Sequence, residues 1–193
     1  MCLVFLRVNK EIPLSKTTIK KYATPLLSTI ILSAFSSFAI AVERKLDSHE
    51  HGVSALKIAQ DGSSFLFELE APGDDIVGFE HEAKNDAQKA AVEEALSKLK
   101  NPEQLFVAPA SAGCSVKENE AEFETSGDHA GFHVHWSMKC AKPANMKALK
   151  IKFFKVFEKA SEIELEAVGE VGQIAVEVEK GQETVDMSGA FGG

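Results

Sequence analysis

Residues 114–140 read CSVKENEAEFETSGDHAGFHVHWSMKC. In the second half, Ala130, Phe132, Val134, Trp136, Met138 and Cys140 alternate with Gly131, His133, His135, Ser137 and Lys139. Successive side chains of a strand point to opposite faces, so a period of two marks a strand with one apolar face. In the first half, Glu118, Glu120, Glu122 and Glu124 fall on one face, Ala121 and Phe123 on the other. Residues 114–124 and 130–140 therefore read as a hairpin folded about Thr125–His129, with its polar faces side by side. Glu120 and Glu122 then lie near His135 and His133. The same folding brings Cys114 to Cys140 within a residue or so of register, so periodicity and cysteine placement point to one hairpin.

Upstream, residues 52–60 (GVSALKIAQ) and 63–71 (SSFLFELEA) read as two strands joined by Asp61-Gly62, a strong hairpin signal. Phe65, Phe67 and Leu69 take the inward face. A loop with Pro72, Gly73 and Gly78 spans 71–83. Residues 85–100 read as a helix: Asn85 caps it with Gln88 three residues on, Val92, Ala95, Leu96 and Leu99 form its apolar stripe, and Asn101-Pro102 ends it. Downstream, 148–154 reads as a strand running into a short irregular or helical piece at 155–160. Residues 162–168 and 173–179 alternate as strands, and 182–193, ending SGAFGG, read as a flexible tail. The sum is an α+β fold: a mainly antiparallel sheet of six or seven strands with one principal helix, 85–100, packed on it.

The N-terminus reads as a targeting segment. Lys16, Lys20 and Lys21 precede the apolar stretch PLLSTIILSAFSSFA (25–39), which ends in Ala39-Ile40-Ala41 before Val42-Glu43-Arg44-Lys45. A positive region, a short apolar core and a small-residue site in that order are a signal peptide cleaved after Ala41; the alternative is an uncleaved anchor, for which the core is short. Residues 1–41 are thus expected to be removed, leaving a single α+β domain over 42–181 and the tail. Removal takes away five basic residues and one acidic one, so the net charge goes from −8 to −12. Such a surface argues against nucleic acid and anionic membrane as partners and attracts cations.

Cys114 and Cys140 remain after cleavage. In an oxidising compartment the pair reads as a disulfide; a thiolate metal ligand or a catalytic thiol is the alternative, without a Cys-x-x-Cys to support it. All six histidines lie beyond the signal peptide: His49-Glu50-His51, Glu80-His81, Asp128-His129 and His133-x-His135. In a strand His-x-His presents two imidazoles on one face, and zinc takes about four ligands, imidazole nitrogen and carboxylate oxygen among them. Glu50, Glu80 and Asp128 are neighbours able to ligate or to orient a ligand. The candidate metal ligands are His49, His51, His81, His129, His133 and His135. His129, His133 and His135 are expected to form one cluster. His49, His51 and His81 form another, or join the first if the N-terminal strand lies beside that hairpin. The bland alternative is polar residues on solvated faces. There is no Gly-rich phosphate loop, no His-Glu-x-x-His and no nucleophile elbow, so no enzyme is expected.

His49-Glu50-His51-Gly52-Val53 leading into Leu56-Lys57-Ile58-Ala59 and Asp61-Gly62 resembles the opening of the ZrgA family. So do Ala71-Pro72-Gly73-Asp74-Asp75-Ile76-Val77-Gly78-Phe79-Glu80-His81, Ala112-Gly113-Cys114, Cys140 and Phe153-Phe154. Those are zinc-regulated, exported proteins of Gram-negative bacteria linked to zinc uptake. The resemblance implies a periplasmic zinc-binding protein, partnered by a zinc uptake transporter or its binding protein, and favours His49, His51 and His81 as functional. Where that family often has a long His/Asp/Glu-rich insert between its cysteines, this sequence has His129, His133, His135 and glutamates, which fits one or two sites rather than a reservoir. Two rival readings stand: an envelope interaction domain with incidental histidines, and a zinc hydrolase using Glu50 or Glu80 as base.

Overall fold

A computed structural model describes residues 52–127 and 129–192. The signal peptide read over 1–41, and His49 and His51, lie outside the described residues.

The first hairpin joins β1 (Val53–Asp61) to β2 (Ser64–Pro72), and Gly62 takes the positive φ of 56° that the turn requires. A four-residue helix α1 (Gly73–Ile76) follows, inside the span expected as loop. The main helix α2 (Asp86–Leu99) is capped as expected: the Asn85 side chain accepts from the Gln88 N–H at 2.9 Å. Gln88 in turn accepts from the N–H of Lys84, one residue before the position a capping box uses. A short helix α3 (Pro102–Leu105) and strand β3 (Phe106–Val107) lead to the long hairpin β4 (Cys114–Ser126) and β5 (His129–Cys140). After it come β6 (Ala148–Ile151), α4 (Phe153–Val156), β7 (Glu162–Val168), β8 (Gln173–Glu179) and β9 (Thr184–Asp186). The strand expected over 148–154 stops at Ile151, and helical backbone begins at Phe153 rather than 155.

The expected α+β architecture holds. Among the described residues, six strands form a mixed, mostly antiparallel sheet in the order β4-β5-β2-β1-β7-β8, and β3-β6-β9 form a small second sheet. The parallel pair is β1 with β7; every other neighbouring pair of the large sheet is antiparallel. Cys114 pairs with Cys140 in register and is joined to it by a disulfide. That resolves the cysteine alternatives in favour of the bridge.

The large sheet has one buried and one solvated face, as antiparallel sheets allow. Leu56, Ile58, Phe65, Phe67, Leu69, Phe132, Val134 and Trp136 are buried on its inner side. Helix α2 docks there through Val92, Ala95 and Leu99, and Trp136 Nε1 donates to the Leu99 carbonyl at 2.8 Å. That bond satisfies one of the carbonyls a helix end leaves without an intrahelical partner, and Asn119 does the same for Lys100.

The tail is a correction. As the last residues of the chain, ending SGAFGG, 182–193 read as a frayed tail. Instead β9 pairs with β6, Met187, Ala190 and Phe191 are fully buried, and the Phe191 ring meets Phe65 edge-on at 5.1 Å. The inner face of the large sheet extends past the footprint of α2, and the C-terminal residues cover part of it. Three apolar side chains outweigh the flexibility of their glycine neighbours.

Candidate metal centre

The outer face of the large sheet carries the glutamates and histidines. On β5, His133 stands between Glu70 of β2 and Glu122 of β4, and His135 between Glu68 and Glu120, each in direct register. Cross-strand neighbours have Cβ atoms roughly 4.5–5.5 Å apart, so each imidazole has a carboxylate on either side. The expected closeness of Glu120 to His135 and of Glu122 to His133 holds residue for residue.

At the hairpin end of this face is a cleft of about 80 Å³ lined by Pro72, Glu80, Glu124, Ser126, His129, Ala130, Gly131 and His133. Its existence follows from one residue. Positions 129, 131 and 133 share the outer face of β5, and glycine at 131 leaves a gap between two imidazoles. A Cβ at Gly131 would come within 3.1 Å of the Ala71 carbonyl oxygen. Two His–Glu pairs flank the gap. His129 Nδ1 is 3.3 Å from Glu80 Oε2, and His133 Nε2 is 3.7 Å from Glu124 Oε2. Glu80 is largely buried, its side chain 12% exposed, whereas His129 at 69% faces solvent.

His133 therefore pairs with the diagonal carboxylate on β4, toward His129 and away from His135. His129, His133 and His135 are not brought together as one cluster: two of them line the cleft, and His135 occupies the next rung of the sheet between Glu68 and Glu120. Among the described residues, no three His, Cys, Asp or Glu side chains converge as a ready metal cage. His81 sits on the loop after α1, stacked on Phe79 with centroids 5.0 Å apart, and does not line the cleft. Its Nδ1 is 2.8 Å from the Glu82 carbonyl, which can only accept, so the Nδ1–H donates to it. The N-terminal strand does not lie directly beside the hairpin; β2 intervenes.

Two residues of this region escape sequence reasoning. Glu124 looks like one more glutamate of a solvated strand, and only the hairpin register places it opposite Gly131, next to His133. Glu80 adjoins His81 in the sequence, but the fold gives it to His129, 49 residues away. Close by, the carboxyl of Asp75 is held above its usual range by burial, opposed by hydrogen bonds from Gly52 and Ser54, with Asp74 and Glu80 raising it further.

Over residues 48–187 the sequence matches the family described as ZrgA family zinc uptake protein. The chain belongs to the ZrgA family. The ZrgA match takes in all six histidines, both cysteines of the disulfide and the β9 strand, and the family is one of zinc uptake rather than an enzyme family. A comparison with curated proteins finds no match. The cleft is lined by two imidazoles and two carboxylates, residue types that zinc accepts as ligands.

Proposed function

We propose that this chain is an exported, periplasmic protein that binds zinc without catalysis and serves zinc acquisition or buffering, taking the ion as cargo at the cleft between His129 and His133. The observation that carries this reading is the pairing of each imidazole with a carboxylate at one cleft. Ligand atoms about 2.0–2.2 Å from a tetrahedral zinc stand roughly 3.3–3.6 Å apart. The His129–Glu80 separation is 3.3 Å and the His133–Glu124 separation 3.7 Å, both close to that edge. Each pair thus offers two ligands at bridging distance. His135, with Glu68 and Glu120, extends the donor surface by one rung. His49, His51 and His81 are proposed as further ligands or relay sites.

Export is supported by the order of charge, apolar core and Ala39-Ile40-Ala41 site, and by a disulfide, which persists in oxidising compartments. A zinc uptake transporter or its binding protein is the proposed recipient. The test is competitive zinc titration of residues 42–193 against an indicator, wild type beside His129→Ala/His133→Ala; submicromolar binding that the double substitution removes is the expected result.

One observation favours a second reading. Both His–Glu pairs are at least partly solvated, and no three ligands converge among the described residues. An envelope interaction domain with incidental histidines accounts for that. It requires that zinc leave the melting temperature unchanged, whereas a ligand bound by the folded state alone must raise it.

A further inference from the structure

Glu80 reaches the cleft from a loop outside the sheet, yet its side chain is 12% exposed against 69% for its partner His129. The loop is fixed where it leaves α1. The Gly78 N–H donates to the carbonyls of Gly73 and Asp74, each at 3.1 Å. A φ of +86° at Gly78 turns the chain out of the helix, a conformation that glycine adopts at little steric cost.

The next side chain is Phe79. Its ring packs against the core and meets Phe123 edge-on, with centroids 6.3 Å apart and planes at 76°. Phe123 in turn meets Phe132 at 4.9 Å and 49°. Both separations lie in the range that aromatic pairs favour, about 4.5–7 Å. The His81 imidazole stacks on Phe79 at 5.0 Å, with the planes 25° apart.

Each of the three phenylalanines is the chain neighbour of a cleft residue. Phe79 precedes Glu80, Phe123 precedes Glu124 and Phe132 precedes His133. Phe123 and Phe132 face each other in direct register across β4 and β5, and strand alternation sends Glu124 and His133 to the outer face. Glu80 has no such strand to aim it. There the Phe79 ring supplies the inward anchor, with one side chain in the core and the next at the cleft.

We infer that Phe79 is a positioning residue of the zinc cleft: anchored on Phe123, its ring fixes the loop so that the Glu80 carboxylate stands beside His129. The inference rests on the zinc reading of the cleft. Phe79 does not itself line the cleft; it acts through Glu80.

The test is a double-mutant cycle. Zinc affinity is measured by competition for the wild type, Phe79→Ala, Glu80→Gln and the variant carrying both. Each single substitution is expected to weaken binding about ten-fold, the lower end of what the supports of a metal ligand are worth. Phe79→Ala is expected to add nothing in the Glu80→Gln background, because the two residues act as one unit. Phe79→Tyr keeps the ring and is expected to bind zinc as the wild type does. Should Phe79→Ala fail to fold, Phe79→Leu, which keeps apolar bulk without the ring, takes its place in the cycle. A Phe79 effect equally large in the Glu80→Gln background overturns the inference, and so does a Phe79→Tyr protein as weak as Phe79→Ala. A wild type whose zinc binding ignores Glu80→Gln but is lost in His129→Ala/His133→Ala overturns the inference and leaves the imidazoles of the cleft reading in place. No zinc binding by the wild type overturns the cleft reading itself, and the inference with it.

Discussion

Nδ1 of His129 and Oε2 of Glu80 stand 3.3 Å apart although 49 residues separate them in the chain. Glu80 comes from the loop after α1 and His129 from the first position of β5, so the contact exists only once β2 has paired with β5. An imidazole must be neutral to give its lone pair to a metal. Zinc affinity is therefore expected to fall steeply between pH 7.5 and pH 5, because a protonated imidazole has no lone pair for the metal. Affinity measured by competition across that range checks this, and a flat profile speaks against histidine ligation.

The Cys114–Cys140 bridge closes the open end of the β4–β5 hairpin, across a sequence separation of 26. In the chain-entropy picture it contributes about 3–4 kcal/mol. Replacing both cysteines by serine is expected to lower the melting temperature by roughly 10 °C for a domain of this size. Thermal melts of the two proteins under non-reducing conditions decide it.

Phe191 is fully buried against Phe65, at the far end of a tail that its composition marks as loose. Phe191→Ala is expected to destabilise the fold by about 3–5 kcal/mol, the usual range for an aromatic removed from a core. Denaturant unfolding measures this directly. Ending the chain at residue 181 is expected to do more damage, because it also removes β9; a truncated chain as stable as the wild type would contradict the packing described.

Asp75 gives a pH signature in stability. Burial raises its pKa above the ordinary 3.8, so the folded state holds the proton more tightly than the unfolded one. Its stabilising contribution is then complete below 3.8 and is lost as pH rises through the folded-state value. Asp75→Asn keeps the acceptor for Gly52 and cannot ionise. The melting temperature of Asp75→Asn relative to wild type is expected to climb as pH rises above about 4. A difference that stays level or runs the other way would show that the carboxylate is stabilised in its charged form.

The sheet and its main helix were legible because they rest on local patterns. The period of two in 130–140 and in 162–168, and the Asn85 cap, each carry their own signal, and the alternating glutamates of 118–124 predicted the register opposite His133 and His135. The pieces that escaped are those whose reason is elsewhere in the chain. The C-terminal SGAFGG segment looks disordered until the uncovered inner face near Phe65 is seen. The α1 turn looks like loop because the Gly52 amide that Asp75 holds and the Ala130 backbone that packs close against Gly73 are remote in the chain. At the candidate site the histidines themselves were legible, and so was their pairing with acid. The particular acids were not, because Glu80 was read with its sequence neighbour His81 and Glu124 with its strand.

The most direct measurement is a competitive zinc titration of metal-stripped residues 42–193, run beside His129→Ala/His133→Ala and His49→Ala/His51→Ala. Submicromolar binding that the His129/His133 pair abolishes and the His49/His51 pair weakens is the predicted result. Binding no tighter than that of an unrelated protein of equal net charge, or binding untouched by the loss of His129 and His133, would contradict it.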